Sequence, residues 1–245
     1  MRFAATSSIS CSILRAPESR GCTPLSSAHV PHRPLIVATG NPGKLREFGA
    51  LLKDLPFDLH GLGELGISPP EETGHSFIEN ALLKARHAAA AAAGTGFGGK
   101  VLPDAAAIAD DSGLEVDALG GAPGIFSARY AGGGAGDAAN NSKLMAALAG
   151  TPFEQRRARY RCALVFVDGS LDAAPLIAEG VWEGLILDVP RGAGGFGYDP
   201  YFFIPELGKT AAELDATEKN RLSHRGMAMR ALRELLVVRR AAARA

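Results

Sequence analysis

The passage from Leu35 to Lys44 constrains the chain most: a short apolar run, Leu35-Ile36-Val37-Ala38, ends abruptly in Thr39-Gly40-Asn41-Pro42-Gly43-Lys44. Such a run is the mark of a buried strand. Asn41 is a good helix N-cap, Pro42 suits the first helical position, and Leu45, Phe48 and Leu52 then recur at i, i+3 and i+7. Strand, tight turn and helix follow one another here. Gly40 and Gly43 let an anion approach the helix N-terminus, whose amides lack intrahelical partners, and Lys44 adds a full positive charge. A phosphate could be held there, although an ordinary connection with a surface lysine fits the turn as well. The Gly-x-x-x-x-Gly-Lys-Ser/Thr spacing of a P-loop is absent.

Further strand and helix signals follow. Ser76 and Glu79 are spaced as a capping box, and a helix is expected through Ala81, Leu82, Ala85 and the alanine run to Ala93, stopped by Gly94. Ala106 to Ala109 reads as a short strand running into Asp110-Asp111-Ser112-Gly113, which puts the acids at a strand end, in a turn. Tyr160 to Val167 and Leu176 to Val189 read as strands, the first closed by a hairpin turn at Asp168-Gly169. Ser223 caps a final helix with a packing stripe of Ala228, Ala231, Leu232 and Leu235, and with Arg230, Arg233, Arg239 and Arg240 solvated. Lys219 lies before that helix.

Composition narrows the class. With 245 residues, 47% of them hydrophobic, the chain can bury one sizeable core, or two lobes sharing a cleft. Lys+Arg and Asp+Glu are both 26, so no net field draws a nucleic-acid polymer or an acidic membrane surface. Every apolar run falls short of the roughly 20 residues of a membrane span. The cysteines, Cys11, Cys22 and Cys162, are odd in number, which argues against a disulfide framework and for a reducing compartment. Residues 1–33 are Ser-rich, with Arg2, Arg15, Arg20 and Arg33 against the single acid Glu18, and are expected to be disordered. A transit peptide, an upstream-assigned start and a plain tail all fit. The cellular address is accordingly the cytoplasm, or an organelle if the segment is a transit peptide.

Three polar clusters could carry chemistry besides the turn at residues 39–44. Glu71, Glu72, Asp110 and Asp111 offer carboxylates, and Mg²⁺ needs one or two of these plus substrate phosphates. Because neighbouring strand residues face opposite ways, Asp110 and Asp111 should divide the work, one binding or polarising and the other supporting. Gly194-Gly195-Phe196-Gly197-Tyr198-Asp199-Pro200 offers flat rings and polar groups of the kind a base requires, and reads equally as a tight turn with core aromatics. In Glu218 to Arg225, His224 and Arg225 occupy a first helical turn, where cations are unfavourable, which suggests an anionic or oxo-bearing ligand; a solvated basic stretch is the alternative. His29, His32, His60, His75 and His87 have no metal-ligand spacing.

Taken in order, Thr-Gly-Asn-x-x-Lys, Glu-Glu-Thr-Gly, Phe-Ile-Glu-Asn-Ala, Asp-Asp-Ser-Gly-Leu, Gly-Gly-Ala-Pro-Gly, Phe-Gly-Tyr-Asp-Pro and Ser-His-Arg resemble the inosine/xanthosine triphosphate pyrophosphatase family from Leu35 to the last helix. The resemblance implies an α/β fold over residues 34–245, with an elongated mixed sheet, flanking helices and two lobes around a central cleft, and a homodimer. By motif, Thr39, Gly40, Asn41, Pro42, Gly43 and Lys44 would hold the triphosphate of a purine nucleotide. Glu71 and Asp111 would bind Mg²⁺, Asp111 would activate the attacking water, and Ser112 would touch the substrate. Phe196, Gly197, Tyr198, Asp199, Lys219, His224 and Arg225 would form the base pocket. Residues 1–33, the loop Gly94 to Lys100 and the run Gly132 to Gly136 depart from the pattern.

The chemistry so implied is Mg²⁺-dependent cleavage of ITP, dITP or XTP to the monophosphate and pyrophosphate. Water would attack the α-phosphorus in line, with Lys44 stabilising the departing charge. Lys219 and Arg225 facing an acceptor O6 would reject the amino group of adenine. Two rival readings are a pyrophosphatase for another modified nucleotide, of the Maf-like type, and a regulator that binds nucleotides without turnover.

Overall fold

The computed structural model describes residues 32–94, 101–103 and 105–242. Residues 1–31, with Cys11 and Cys22, and most of the 94–100 loop lie outside the described residues. Seven strands form one sheet in the order β2-β1-β3-β4-β5-β6-β7. β1 (Arg33–Val37) lies parallel to both β2 (Phe57–Gly61) and β3 (Ala106–Val116). β4 (Arg157–Val167), β5 (Leu176–Ile186), β6 (Phe202–Ile204) and β7 (Lys209–Thr210) continue it antiparallel. The architecture is α/β with a mixed sheet and flanking helices.

Side-chain alternation along the strands assigns the two faces. Ile36, Ala107, Ala109, Val165 and Val167 pack against the buried alanine side of α2 (Phe77–Gly94), including Ala81, Ala85, Ala88 and Ala92. Leu35, Val37, Ala106, Ile108, Leu164 and Phe166 pack on the opposite face. They meet Phe48 and Leu52 of α1 (Pro42–Leu52) and Ala228, Met229 and Leu232 of α5 (His224–Ala242). A third cluster at the antiparallel end joins Leu114, Val116, Tyr160, Trp182 and Phe202 to Leu144 and Leu148, in and just after α3 (Gly136–Ala147).

All three helix starts read from the sequence are present, Ser223 Oγ accepting from the Gly226 amide at 3.2 Å. The Asn41 side chain accepts from the Gly43 and Lys44 amides, and Ser76 Oγ accepts from the Glu79 amide. Four local expectations are corrected. The strand expected to stop at Ala109 runs on to Val116, so Asp110, Asp111 and Ser112 sit mid-strand, because β4 supplies ladder partners along this whole stretch. The link after Asp168-Gly169 is a longer loop to Leu176, gathered around Asp172, which accepts from the Asp168 and Ala174 amides and from Arg239. Lys219 lies on a helix of its own, α4 (Ala216–Leu222), capped by Asp215. The stripe of α5 is Ala228, Met229, Leu232 and Leu236 with Ala231 packed against it as expected, while Leu235 is 38% exposed. Of its arginines, Arg230 is exposed as expected, whereas Arg233 bonds the Leu51 carbonyl and Arg239 pairs with Asp172.

Candidate active site

β1 leaves the sheet where Val37 pairs with Ile108, so beyond that point β3 has a ladder partner on its β4 side only. The crevice opened there lies at the carboxyl end of β1, where open α/β sheets take ligands. Its wall includes Asn41, Lys44, Ser112, Tyr160, Phe196 to Asp199, Lys219, His224 and Arg225. The sheet thus gathers Asn41 and Lys44, the aromatic loop, Lys219 and the His224-Arg225 pair in one wall, whereas Asp110 lies behind it against Lys44 and Arg225 and Asp111 is not part of the wall.

The two aspartates face opposite ways. Asp110 shares the face of Ile108, towards α1 and α5. Its Oδ2 lies 2.9 Å from Lys44 Nζ, accepts from Arg225 Nη2 at 3.1 Å, and accepts from Ser112 Oγ at 3.1 Å. Burial alone would raise this carboxyl's pKa, but Lys44, Arg225 and Lys84 together hold it far below the usual range. Asp110 is therefore a permanent anion that organises a phosphate-turn lysine, a strand hydroxyl and a helix arginine around one oxygen. Asp111 shares the face of Ala109, towards α2. Its Oδ1 accepts from Lys84 Nζ at 2.7 Å and its Oδ2 from Asn80 Nδ2 at 3.3 Å. Burial, helped by repulsion from Glu72, raises the Asp111 carboxyl above its ordinary value despite Lys84. Burial works against the Lys84 ammonium, yet Asp111, Asp110 and Glu72 outweigh it and raise its pKa, so the proton of the pair stays on nitrogen.

Glu72, rather than Glu71, enters this cluster. It accepts from Lys84 at 3.1 Å and from Arg129 at 2.5 Å, whereas Glu71 is exposed. Asp111 and Glu72 thus converge on one cationic group, and a divalent ion needs one or two carboxylates besides phosphate oxygens. Among the described residues no group of three or more His, Cys, Asp or Glu side chains could cage a metal alone. The donor set fits Mg²⁺ that shares its coordination with a triphosphate. The phosphate turn also differs from the open amide nest expected: Asn41 Oδ1 takes the Gly43 and Lys44 amides at 2.8 and 3.3 Å, and Thr39 Oγ1 takes the Asn41 amide at 3.1 Å. A short side chain at the N-cap satisfies the donors itself. Those two amides are therefore already satisfied from within the turn.

The aromatic end is built on Asp199, which is 3% exposed. Its Oδ2 accepts from Lys219 Nζ at 2.7 Å and from the Phe196 amide at 2.8 Å, and its Oδ1 accepts from Tyr160 Oη at 3.2 Å. Only glycine fits at position 195, where φ is +75° and a Cβ would lie 2.1 Å from Asp199 Oδ2. The Phe196 ring is faced by Lys219 Nζ at 4.8 Å and by the Arg225 guanidinium at 5.9 Å. Both rings of this loop line the crevice; Tyr198 is buried and donates to the Ser127 carbonyl at 2.8 Å, and Phe196 is the more exposed of the two. His224 stacks on Tyr160 at 4.7 Å and 14°, and its Nδ1 has no hydrogen-bond partner. Burial, with Arg225 and Lys219 adding to it, drives its pKa well below the ordinary value, so the ring is neutral.

Lys84, Asn80, Glu47 and Tyr160 were not legible as site residues. Asn80 and Lys84 did carry a signal, being polar residues four apart on a face that otherwise buries alanine. Glu47 ion-pairs with Arg225 and lies 3.8 Å from Lys219, tying α1 to the base end. The seat of α5 depends on Gly180 of β5, where a Cβ would lie 2.0 Å from the His224 carbonyl oxygen and 2.7 Å from the Ala228 nitrogen. Backbone cannot yield as a side chain does. Gly180→Ala is expected to cost about 1–3 kcal/mol and to raise the KM of any substrate taken by the crevice, by displacing His224 and Arg225 from its wall. Denaturation and steady-state kinetics check this, and unchanged values of both would show that α5 is not seated by this contact.

The sequence profile of the Ham1 family matches residues 35–235. The chain belongs to the Ham1 family. It is 54% identical over 202 residues to a dITP/XTP pyrophosphatase of Pectobacterium atrosepticum, covering 82% of this chain and 97% of that protein. It is 51% identical over 202 residues to the dITP/XTP pyrophosphatase of Escherichia coli K12, with the same coverage. Among solved structures, a HAM1 protein from Coxiella burnetii superposes with a TM-score of 0.73 at 44% identity, over 84% of this chain and 98% of that one. The Staphylococcus aureus Ham1 protein gives 0.70 at 38%, over 84% and 100%. The Ham1 match begins two residues after β1 does, so residues 1–33 contribute little to it.

Proposed function

We propose that the chain is a nucleoside triphosphate pyrophosphatase that hydrolyses deaminated purine triphosphates, ITP, dITP and XTP, to the monophosphate and pyrophosphate, so clearing damaged nucleotides from the pool. The observation that carries this reading is the convergence of Lys44, Asp110 and Arg225 on one face of β3 with Asp111 and Lys84 on the other, beside a pocket walled by Phe196 and Lys219. The names of the relatives at 51–54% identity agree with it.

In this reading Thr39 to Lys44 receive the triphosphate, Ser112 touches it, and Phe196 stacks on the base. Asp111, with Glu72 and the nearby Glu71, would hold Mg²⁺, which when bound draws charge from the phosphate oxygens. Asp111 accepts the proton from a water whose oxygen attacks the α-phosphorus, while the bond to the pyrophosphate oxygen breaks. Lys84, whose proton is secure, keeps Asp111 oriented and cannot act as the base. Lys44 offsets the charge that gathers on the departing pyrophosphate.

At the base edge, Lys219, Arg225 and neutral His224 line the pocket, and Lys219 and Arg225 bear donors only, a match for the acceptor O6 of hypoxanthine and xanthine and a mismatch for the amino group of adenine. Sites of this kind discriminate by up to about 10⁴-fold to 10⁵-fold. A triphosphate panel with separate detection of pyrophosphate and orthophosphate is the test: ITP, dITP and XTP should be consumed far faster than ATP or GTP, and chelation of Mg²⁺ should abolish turnover. Comparable kcat/KM for ATP, or orthophosphate as direct product, contradicts the reading. Preference for a modified pyrimidine triphosphate would favour a Maf-like activity.

The domain is assigned to residues 34–245, in a homodimer, with a cytoplasmic address. Cys162 is buried and unpaired, and among the described residues no helix is long and apolar enough to cross a membrane. Light scattering of the purified chain tests the dimer.

A further inference from the structure

The loop that carries Phe196 is held from outside by α3, an element in which the sequence reading placed no function. Asp137, in the first turn of α3, accepts the Gly197 amide on Oδ2 at 2.7 Å, and Asn141, one turn later, donates to the Gly197 carbonyl at 3.0 Å. Both polar groups of one residue, 60 and 56 positions away in sequence, are thereby tied to a single helix face. Gly197 lies at φ +62°, a conformation that glycine adopts freely and that leaves its backbone little local restraint. Between them Asn140 secures α3 itself, accepting from the Ala131 amide at 2.8 Å and donating to the Ala128 carbonyl at 3.1 Å. Asp137 and Asn140 stand in the same pocket wall as Phe196 and Gly197.

We propose that Asp137 and Asn141 are positioning residues for base recognition, acting through Gly197 to fix the Phe196 ring where a purine stacks. The inference rests on the reading of Phe196 as the stacking platform. On its inner side the loop is anchored by Asp199 at the Phe196 amide, so α3 provides the outer half of a two-sided grip. Releasing the outer half leaves Lys44, Asp111 and Lys84 untouched. Base binding weakens while the chemical step keeps its rate.

The test compares Asp137→Ala, Asp137→Asn and Asn141→Ala with the unaltered full-length chain. Asparagine retains one carbonyl oxygen able to accept the Gly197 amide. Asp137→Ala should raise the KM for ITP by about threefold to tenfold, the scale of one lost charge-assisted hydrogen bond, with kcat within about twofold. Asp137→Asn should return KM close to that of the unaltered chain, and Asn141→Ala should raise it in the same sense. Hydrogen exchange across residues 194–199 should quicken in Asp137→Ala and slow again in Asp137→Asn. An unchanged KM in Asp137→Ala, a parallel fall in kcat, or failure of Asp137→Asn to restore KM would each overturn the proposal. An unaltered chain that leaves ITP intact would instead overturn the nucleotide reading, and unaltered exchange would then overturn the grip on its own evidence.

Discussion

Asp111→Asn is expected to lower kcat for ITP by about 10²-fold to 10⁴-fold, the usual contribution of a positioned general base. The change keeps the side chain's shape and removes its charge, one acceptor oxygen and its capacity to accept a proton. The single oxygen of asparagine can keep the 2.7 Å contact with Lys84 at the cost of the longer bond from Asn80, and Lys84 keeps its second carboxylate, Glu72, at 3.1 Å. Fold stability should therefore fall much less than turnover, and denaturation measured beside pyrophosphate release separates the two. Near-normal turnover in a folded variant would remove Asp111 from the role and leave the α2 face of β3 without a base.

Asp110→Ala should act on the fold as much as on the reaction. The carboxyl is 1% exposed and the Arg225 side chain it meets is 2% exposed, so its removal strips a buried guanidinium of one of two acidic partners. Breaking a buried pair from one side costs about 3–5 kcal/mol. Activity should vanish with it, because Lys44, Ser112 and Arg225 are arranged around the lost oxygen. The pH dependence gives a second handle. Because the folded-state pKa of Asp110 is depressed, its contribution is complete above the unfolded aspartate value of about 3.9 and is lost as pH falls below it. Acid titration of stability should therefore be shallower in Asp110→Asn than in the unaltered chain. Equal acid sensitivity of the two would mean that the pairs with Lys44 and Arg225 contribute nothing to folding.

Much of the site could be seen in the residues, for reasons that are local. A run of four apolar residues followed by Asn41, Pro42 and a 3.6-residue stripe can hardly be anything but strand, turn and helix. The opposed faces of Asp110 and Asp111 follow from strand geometry alone, once both are on a strand. Misreadings came where a partner distant in sequence overrode a local cue. The polar Asp-Asp-Ser-Gly segment looks like a turn, and only the ladder to β4 makes it strand. The helix that carries Lys219 is the exception, since its cap is local, Asp215 accepting the Glu218 amide three residues on.

By itself, the order of residues determined the elements, their caps, the kinds of chemistry on offer and the family pattern, since these depend on neighbours a few positions apart. Tertiary structure alone decided that Glu72 and not Glu71 shares Lys84 with Asp111, and that α3 grips the Phe196 loop. Each of these is a competition between groups tens of residues apart for one hydrogen-bonding atom. Its outcome is set by distances of about 3 Å that exist only after the sheet has brought its two ends together.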